Sequence, residues 1–455
     1  MQDKKLNRPS LLGAACALLM AGLGGPALAA NWLLLQGTEP DGASARAEVW
    51  GFIQADYQAD FSDASALGQY VPPKLLGPDL DSQSGFNISR ARIGVRGTGF
   101  PLDGRINYFL LAELGNNGTT NDGTGYSFGR LTDASITLNH IPGARVRAGL
   151  FKTPGAEEGL QAIHVFDYIN FTEVTNGLLL ERFPNRVYTA NLPAQSEAQL
   201  QAGGRLNGFT SPVGAFRDTG VQVFDAFMLG KDWEVSYAAM IGQGSGLELD
   251  NSDGEYDQYL YLSAEKKSGG KGPRADGLKL FGWGQWGSRL LDNSNDSVAN
   301  LKKYDRNRAG LGVKYMGKPF RATAEYVTAD GMIWVGPDKP SFYFANPANS
   351  TGANNGADAR ANGWYVEGGW YIPGSKWELD LRYDTMTRLE GRNDEHRFDK
   401  WTLGVQYHFN PKTRLTVNYE MRDFECTAAT VQCANANANL TGVGDKVGVQ
   451  LTAIF

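Results

Sequence analysis

Arginine recurs on one side of two short segments of this 455-residue chain. Arg90, Arg92 and Arg96 share one face of an extended chain, and Arg145 and Arg147 share one face of a second segment, because side chains alternate with a period of two. A guanidinium group keeps its proton and presents several donors, which suits carboxylates and phosphates. The two segments therefore predict a basic surface that attracts anions.

Other chemistries find less support in the residues. The chain has four histidines, His140, His164, His396 and His408, and no serine accompanies them in the context of a nucleophile, so we predict that the protein is not an enzyme. The segment Asp250 to Glu255 has the composition of a calcium loop without its ligand order. We therefore predict no metal site and no cofactor.

The N-terminus predicts export from the cytoplasm. Basic residues precede an apolar run from Leu11 to Leu28, and Ala27-Leu28-Ala29 has the small-x-small pattern of a cleavage site, so residues 1–29 form a predicted signal peptide. In an exported protein, the seven-residue spacing of Cys426 and Cys433 suggests a disulfide that closes a loop and has no redox role.

The last ten residues have the pattern of a membrane-spanning strand. Val447, Val449, Leu451, Ala453 and Phe455 alternate with more polar residues, as in a strand that has lipid on one side and water on the other. The terminal aromatic resembles the assembly signal of bacterial outer-membrane proteins. No segment after the signal peptide offers the roughly 20 consecutive apolar residues of a spanning helix.

About sixteen such alternating segments follow one another, and short turns alternate with long loops between them. This rhythm predicts an all-β fold, a transmembrane antiparallel β-barrel over residues 49–455 that has both termini on the periplasmic side. Residues 30–48 show no clear pattern and are interpreted as a periplasmic N-terminal tail.

The third long loop, from about Thr153 to Asp218, is too apolar for a solvated loop. We therefore predict that it folds into the barrel and narrows it, with a bend at Pro154 and Gly155. The predicted constriction residues are Pro154, Glu157, Glu158, His164 and Asp167.

A charged side chain on the lipid face near the midplane costs about 2 to 4 kcal/mol, so the arginines are predicted to face the lumen. Lys152, at the junction with the third loop, is either the cation nearest a passing anion or the partner of Glu157 or Glu158 in a salt bridge. The predicted anion path consists of Arg90, Arg92, Arg96, Arg105, Arg145, Arg147 and Lys152.

An opposing set of carboxylates supports a different interpretation. Glu378, Asp380, Asp384 and Glu420 are also predicted to face the lumen, on later strands. A basic wall opposite an acidic wall produces the transverse field of an ordinary porin. Both interpretations remain open at this point.

Three segments resemble the phosphate-selective porin O and P family. They are the "RARIGV" strand that begins at Arg90, the "LTDA" strand opening at Leu131, and the "FKTP" junction at Phe151, with Glu157-Glu158 after it. The motifs occur in the family's order and cover residues 86–158. The resemblance implies a trimeric sixteen-stranded porin of the Gram-negative outer membrane, with phosphate selectivity attributed to lumenal arginines and lysines.

The expected function is passive diffusion of small hydrophilic solutes, anions such as phosphate among them, with outer-membrane lipid and further copies of the chain as partners. The net charge of −6 gives no indication of a nucleic-acid partner. The alternatives are a general non-specific porin and a plugged barrel that serves as a surface adhesin or anchor. Channel conductance separates a pore from a plugged barrel.

Overall fold

The structure is a computed structural model of the chain. It describes residues 31–35, 47–61, 84–99, 103–117, 119–120, 129–180, 215–247, 249, 251, 254–269, 276–292, 301–333, 358–393, 395–430, 433–434, 437 and 443–455. The predicted signal peptide of residues 1–29 lies outside these ranges, so it remains a prediction.

The described residues form sixteen antiparallel strands in one closed barrel. Each strand pairs with its neighbours along the chain, and β1 pairs with β16 to close the ring. The predicted all-β barrel of sixteen strands is confirmed. The strands are β1 (Glu48–Asp60), β2 (Ser84–Gly99), β3 (Asp103–Glu113), β4 (Arg130–Leu138), β5 (Arg145–Lys152), β6 (Arg217–Leu229), β7 (Trp233–Gly242), β8 (Asp257–Gly269), β9 (Asp276–Asp292), β10 (Leu301–Gly317), β11 (Phe320–Asp330), β12 (Arg360–Tyr371), β13 (Trp377–Arg388), β14 (His396–Asn410), β15 (Thr413–Glu425) and β16 (Lys446–Ile454).

Tight turns join the strands at one end of the barrel. The turn between β6 and β7 contains Gly230 at φ +70°, and the turn between β12 and β13 contains Gly374 at φ +74°. Glycine occupies this left-handed region without the steric cost that a Cβ atom brings. The chain therefore reverses within a few residues, and the opposite end carries the long loops.

The strands have an apolar outer face and a polar inner face. Along β13, Trp377, Leu379 and Leu381 are exposed on the outside, whereas Glu378 and Asp380 are buried inside. This alternation matches the lipid-facing and lumen-facing sides of a membrane barrel. Within the ranges described, no helix is long and apolar enough to cross a membrane.

The third loop lies inside the barrel, as predicted. After β5 it forms the short helix α2 (Glu157–Leu160), a 3-10 turn (Ile163–Val165) and a π-helical turn (Thr175–Leu179), and most of its side chains up to residue 180 are buried. The rest of the loop, residues 181–214, lies outside the described residues.

A second segment is also enclosed by the wall. The helix α1 spans Trp32–Leu35, and its side chains from Trp32 to Leu34 are buried. The interpretation of residues 30–48 as a periplasmic tail therefore does not describe residues 32–34, because apolar side chains are more stable against an apolar surface than in water.

Near the other end of the chain, Cys426 and Cys433 are joined in a disulfide, as their spacing suggested.

Candidate functional site: the lumenal wall and the infolded loop

Four cations gather on one side of the lumen. Arg90 and Arg92 come from β2, Lys152 is the last residue of β5, and Arg217 is the first residue of β6. All four are buried and line a small cavity, with room for about one water molecule, between the wall and the third loop. We call these four residues the basic cluster.

Two carboxylates partly balance this charge. Glu113 Oε2 lies 2.7 Å from Arg92 Nε, and Asp133 Oδ2 lies 3.0 Å from Arg217 Nη2. Arg90 donates instead to the neutral Gln54 Oε1 at 3.1 Å, and its Nε has no hydrogen-bond partner within the part of the chain that the structure describes. The basic cluster therefore carries more positive than paired negative charge.

Lys152 fixes the infolded loop through backbone carbonyl groups. Its Nζ donates to the carbonyl oxygens of Gly159 at 2.9 Å, Leu160 at 3.4 Å and Gln161 at 2.6 Å. Among the described residues Lys152 forms no salt bridge with Glu157 or Glu158, so that alternative is wrong, and its position as the cation nearest a passing anion remains a prediction. The helix α2 turns its carbonyl groups towards Lys152 and its carboxylates towards other strands.

Glu157 reaches the far wall of the barrel. Its two oxygens lie 2.6 Å from Lys279 Nζ on β9 and 2.9 Å from Lys314 Nζ on β10. Burial alone would raise the pKa of this carboxyl group, but the two lysines lower it to about 2. The loop lies inside the lumen, so these two ion pairs fix it to strands β9 and β10 of the wall.

The wall opposite the basic cluster is acidic. Arg321 lies 3.1 Å from Asp167, 2.7 Å from Glu378 and 2.5 Å from Asp380, all through its guanidinium nitrogens. Among the described ion pairs here, four arginines and lysines face eight carboxylates. The cations are Arg321, Arg382, Lys400 and Arg414, and the carboxylates belong to Glu158, Asp167, Glu173, Glu367, Glu378, Asp380, Asp384 and Glu420.

The other predicted arginines occupy different surroundings. The Arg147 guanidinium is buried over the Phe224 ring, at 4.4 Å from its centroid. Arg96 is half-buried on β2 and lies nearer the short turns than the basic cluster does. The structure brings neither of them into the basic cluster.

Two predicted members of the anion path lie at the rim. Arg105 follows a short turn, its side chain is 57% exposed, and it pairs with Asp103. Arg145 opens β5 after another short turn and pairs with Asp225 at 3.3 Å. Both lie on strand positions of lumenal parity, at the end of the strand next to a short turn. The structure does not bring them into the basic cluster, and their part in an anion path remains a prediction.

Three predicted constriction residues, His164, Pro154 and Asp167, have different surroundings on the third loop. His164 lies between Trp50 and Phe52, at ring-centroid distances of 5.9 and 5.0 Å, and burial lowers its pKa to about 3, so it is neutral at pH 7. Pro154 follows Thr153, whose backbone N–H donates to the carbonyl of Phe216 at 2.9 Å, at the point where the loop leaves the wall. Asp167 is the loop residue that pairs with Arg321.

Several residues of this site escaped the sequence analysis. Arg217 was assigned to the loop, and Arg321, Lys279 and Lys314 were not selected although their alternation within β9, β10 and β11 places them inside. A charged residue at a strand position that faces the lumen identifies them, as it does for Arg90, Arg92 and the carboxylates of the later strands.

Comparison with known proteins agrees with this architecture. The sequence model of the phosphate-selective porin O and P family matches residues 289–441. The chain has the fold of an outer-membrane porin. The match runs from the end of β9 to the loop before β16, so it supports the resemblance from a different part of the chain than the motifs of residues 86–158.

Solved structures share the fold of this chain at low identity. The outer membrane channel DcaP of Acinetobacter baumannii is 14% identical, and the similarity covers 92% of this chain and 100% of that one with a TM-score of 0.50. An anion-selective porin from Comamonas acidovorans is 14% identical over 90% and 99% of the two chains, with a TM-score of 0.47. OmpT of Vibrio cholerae in a trimer form is 12% identical over 90% and 99%, with a TM-score of 0.46. No curated protein sequence matches the chain.

Proposed function

We propose that the chain is an outer-membrane porin that lets small hydrophilic solutes diffuse passively and prefers anions, phosphate among them, because of the field of the basic cluster. The observation that carries the proposal is Arg90, a buried guanidinium with a neutral hydrogen-bond partner and an Nε without one, beside three further cations. The partial match to a phosphate-selective family supports the same direction.

The physical basis is the local field of the cluster. A unit charge 4 Å from a passing anion contributes about 1 kcal/mol in water and about 4 kcal/mol at an effective dielectric constant of 20. Removing one such charge therefore changes the occupancy of an anion beside the cluster by about fivefold or more. A cluster partly neutralised by Glu113 and Asp133 attracts anions without holding them tightly, as conduction requires.

The test is Arg90→Gln, which removes the charge and keeps a hydrogen-bonding group towards Gln54. We expect the reversal potential in planar bilayers under a salt gradient to shift towards cation preference, and block by added phosphate to weaken. The matched control is Arg397→Gln, which removes the same charge from the 52% exposed side chain of Arg397 at the rim. Equal selectivity in Arg90→Gln and wild type would refute the proposal.

A second candidate, a general porin, is favoured by the acidic wall. Basic and acidic walls on opposite sides of the lumen produce an electric field across the pore. Such a field selects solutes by dipole moment and size more than by net charge. The discriminating variant is Glu367→Gln, because one oxygen of Glu367 has no hydrogen-bond partner among the described residues. Wild-type channels with little ion preference, altered by neither Arg90→Gln nor Glu367→Gln, would identify a general porin.

We also propose that three copies assemble in the membrane, as the family resemblance implies, and that a signal peptidase removes residues 1–29. The mass of the protein–detergent complex, corrected for bound detergent, measures the first. N-terminal sequencing of protein from outer membranes measures the second.

A further inference from the structure

An apolar row crosses the inner wall of the barrel. Phe224 on β6 lies opposite Ala238 on β7, Ala238 lies opposite Tyr261 on β8, and Tyr261 lies opposite Trp283 on β9. With Phe281, these residues form one buried cluster, which we call the lumenal aromatic surface. Positions that face a water-filled lumen are ordinarily polar, so this surface requires a partner that keeps water away from it.

The structure provides this partner from the same chain. The helix α1 lies against β6, and Trp32, Leu33 and Leu34 belong to the same apolar cluster as the lumenal aromatic surface, together with Ala156 and Leu160 of the third loop. Leu33 is only 2% exposed. Three consecutive apolar side chains of the N-terminal segment are thus removed from water within the lumen.

Polar contacts fix the orientation of this segment. Asn31 Nδ2 donates to Glu234 Oε1 at 3.1 Å and to Ser236 Oγ at 2.5 Å, both on the inner face of β7. The Asn31 Oδ1 accepts from the Leu33 backbone N–H at 3.2 Å and so holds the first turn of α1. Glu234 also pairs with Lys267 at 2.8 Å, so Asn31 joins an existing ion pair.

We infer that residues 31–35 dock on the lumenal aromatic surface as an intramolecular occupant of the pore and narrow the path for solutes. Twelve residues connect α1 to β1, and a chain of that length spans at most about 40 Å at roughly 3.3 Å per residue. Such a tether keeps the segment at an effective concentration of about millimolar, so docking persists without a second protein. The narrowing rests on the proposed channel function, whereas the docking does not.

The first experiment measures docking directly. Asn31→Cys combined with Ser236→Cys places two thiols where the wild-type side chains are in hydrogen-bonding contact. We expect this double variant of the full mature chain, folded in detergent, to form a cross-link under mild oxidation and to lose labelling by a thiol reagent. Each single-cysteine variant is the control. A folded barrel, identified by its heat-modifiable electrophoretic mobility, that forms no cross-link would overturn the docking.

The second experiment measures the effect on conduction. Leu33→Asp with Leu34→Asp brings two charges to an apolar contact, and we expect a rise in single-channel conductance because the segment leaves the lumen. Lys231→Asp is the control, since it makes the same change of two charges in an exposed turn at the same end of the barrel. Equal conductance in wild type and in the double variant would overturn the narrowing.

The cross-linked form distinguishes docking of the segment from narrowing of the pore. Oxidised Asn31→Cys/Ser236→Cys should conduct less than the double aspartate variant, and its conductance should stay close to that of wild type before and after reduction, because the wild-type segment is docked as well. Wild type treated with the same reductant controls for the native disulfide of Cys426 and Cys433. If no variant conducts, the proposed function and the narrowing both fail, and the cross-link still decides whether the segment docks.

Discussion

The ion pairs of Glu157 with Lys279 and Lys314 make the infolded loop testable. Glu157 is 2% exposed, and each of its oxygens has its own lysine, at 2.6 and 2.9 Å. The substitution Glu157→Gln keeps the size of the side chain and removes its charge. Two partly buried ammonium groups then lose their carboxylate, which is the costly outcome for a buried ion pair.

The expected magnitude follows from the pKa of Glu157. Lowering the pKa of a carboxyl group from 4.5 to about 2 corresponds to about 3 kcal/mol in favour of its ionised form. Breaking a buried pair by removing one partner costs about 3 to 5 kcal/mol, which agrees. A loss of about 3 kcal/mol raises the equilibrium constant for opening of the loop about 10²-fold.

Hydrogen exchange of the loop is the assay. The backbone N–H of Leu160 donates to the carbonyl of Ala156 at 2.8 Å and that of Gln161 to the carbonyl of Glu157 at 3.0 Å, so both amides report opening of α2. At pH 7 in detergent micelles, Glu157→Gln should exchange these amides about 10²-fold faster than wild type. The control is Glu390→Gln, at an exposed glutamate in the turn after β13.

The pH dependence gives a second, independent check. Because the pKa of Glu157 is lower in the folded loop, its stabilising contribution is fully present above about 4.5 and is lost as the pH falls towards about 2. Wild-type exchange, corrected for the intrinsic rate, should therefore accelerate over that range, and exchange in Glu157→Gln should depend less on pH. Identical exchange in the two proteins at pH 7 would refute the anchoring role of Glu157.

Three further predictions concern the disulfide, the outer face of the barrel and the rim. Replacing Cys426 and Cys433 by serine opens a loop of about seven residues, worth about 2 kcal/mol, so limited proteolysis after β15 should accelerate while ion selectivity stays as in wild type. Leu311 is 65% exposed on the outer face of β10, and Leu311→Lys should lower the free energy of unfolding by about 2 to 4 kcal/mol. The urea concentration at which half of the protein loses the electrophoretic band of the folded form should fall in Leu311→Lys and stay unchanged in Leu311→Met. Arg105→Gln should leave the reversal potential unchanged, because Arg105 lies at the rim; a shift as large as that of Arg90→Gln would contradict the corrected placement.

The faces of the strands were predictable from the sequence. Each side chain of a strand points to one side or the other according to its own position, so alternation within ten residues suffices to place Arg90 and Arg92, and also Glu378 and Asp380, inside the barrel. The strand rhythm likewise predicted the ring of sixteen strands and the infolded third loop. The role of the arginines in anion passage remains a prediction.

The partners of these side chains depended on the closed ring. Glu157 meets Lys279 and Lys314 across 122 and 157 residues of sequence, and Asn31 meets Glu234 across 203. Local alternation contains no information about which strand a loop reaches after it crosses the lumen. Nor does it reveal that an apolar N-terminal segment returns to an apolar inner surface, since that contact forms only when four strands stand side by side. The sequence by itself determined which residues face inward, and the tertiary structure decided which of them meet.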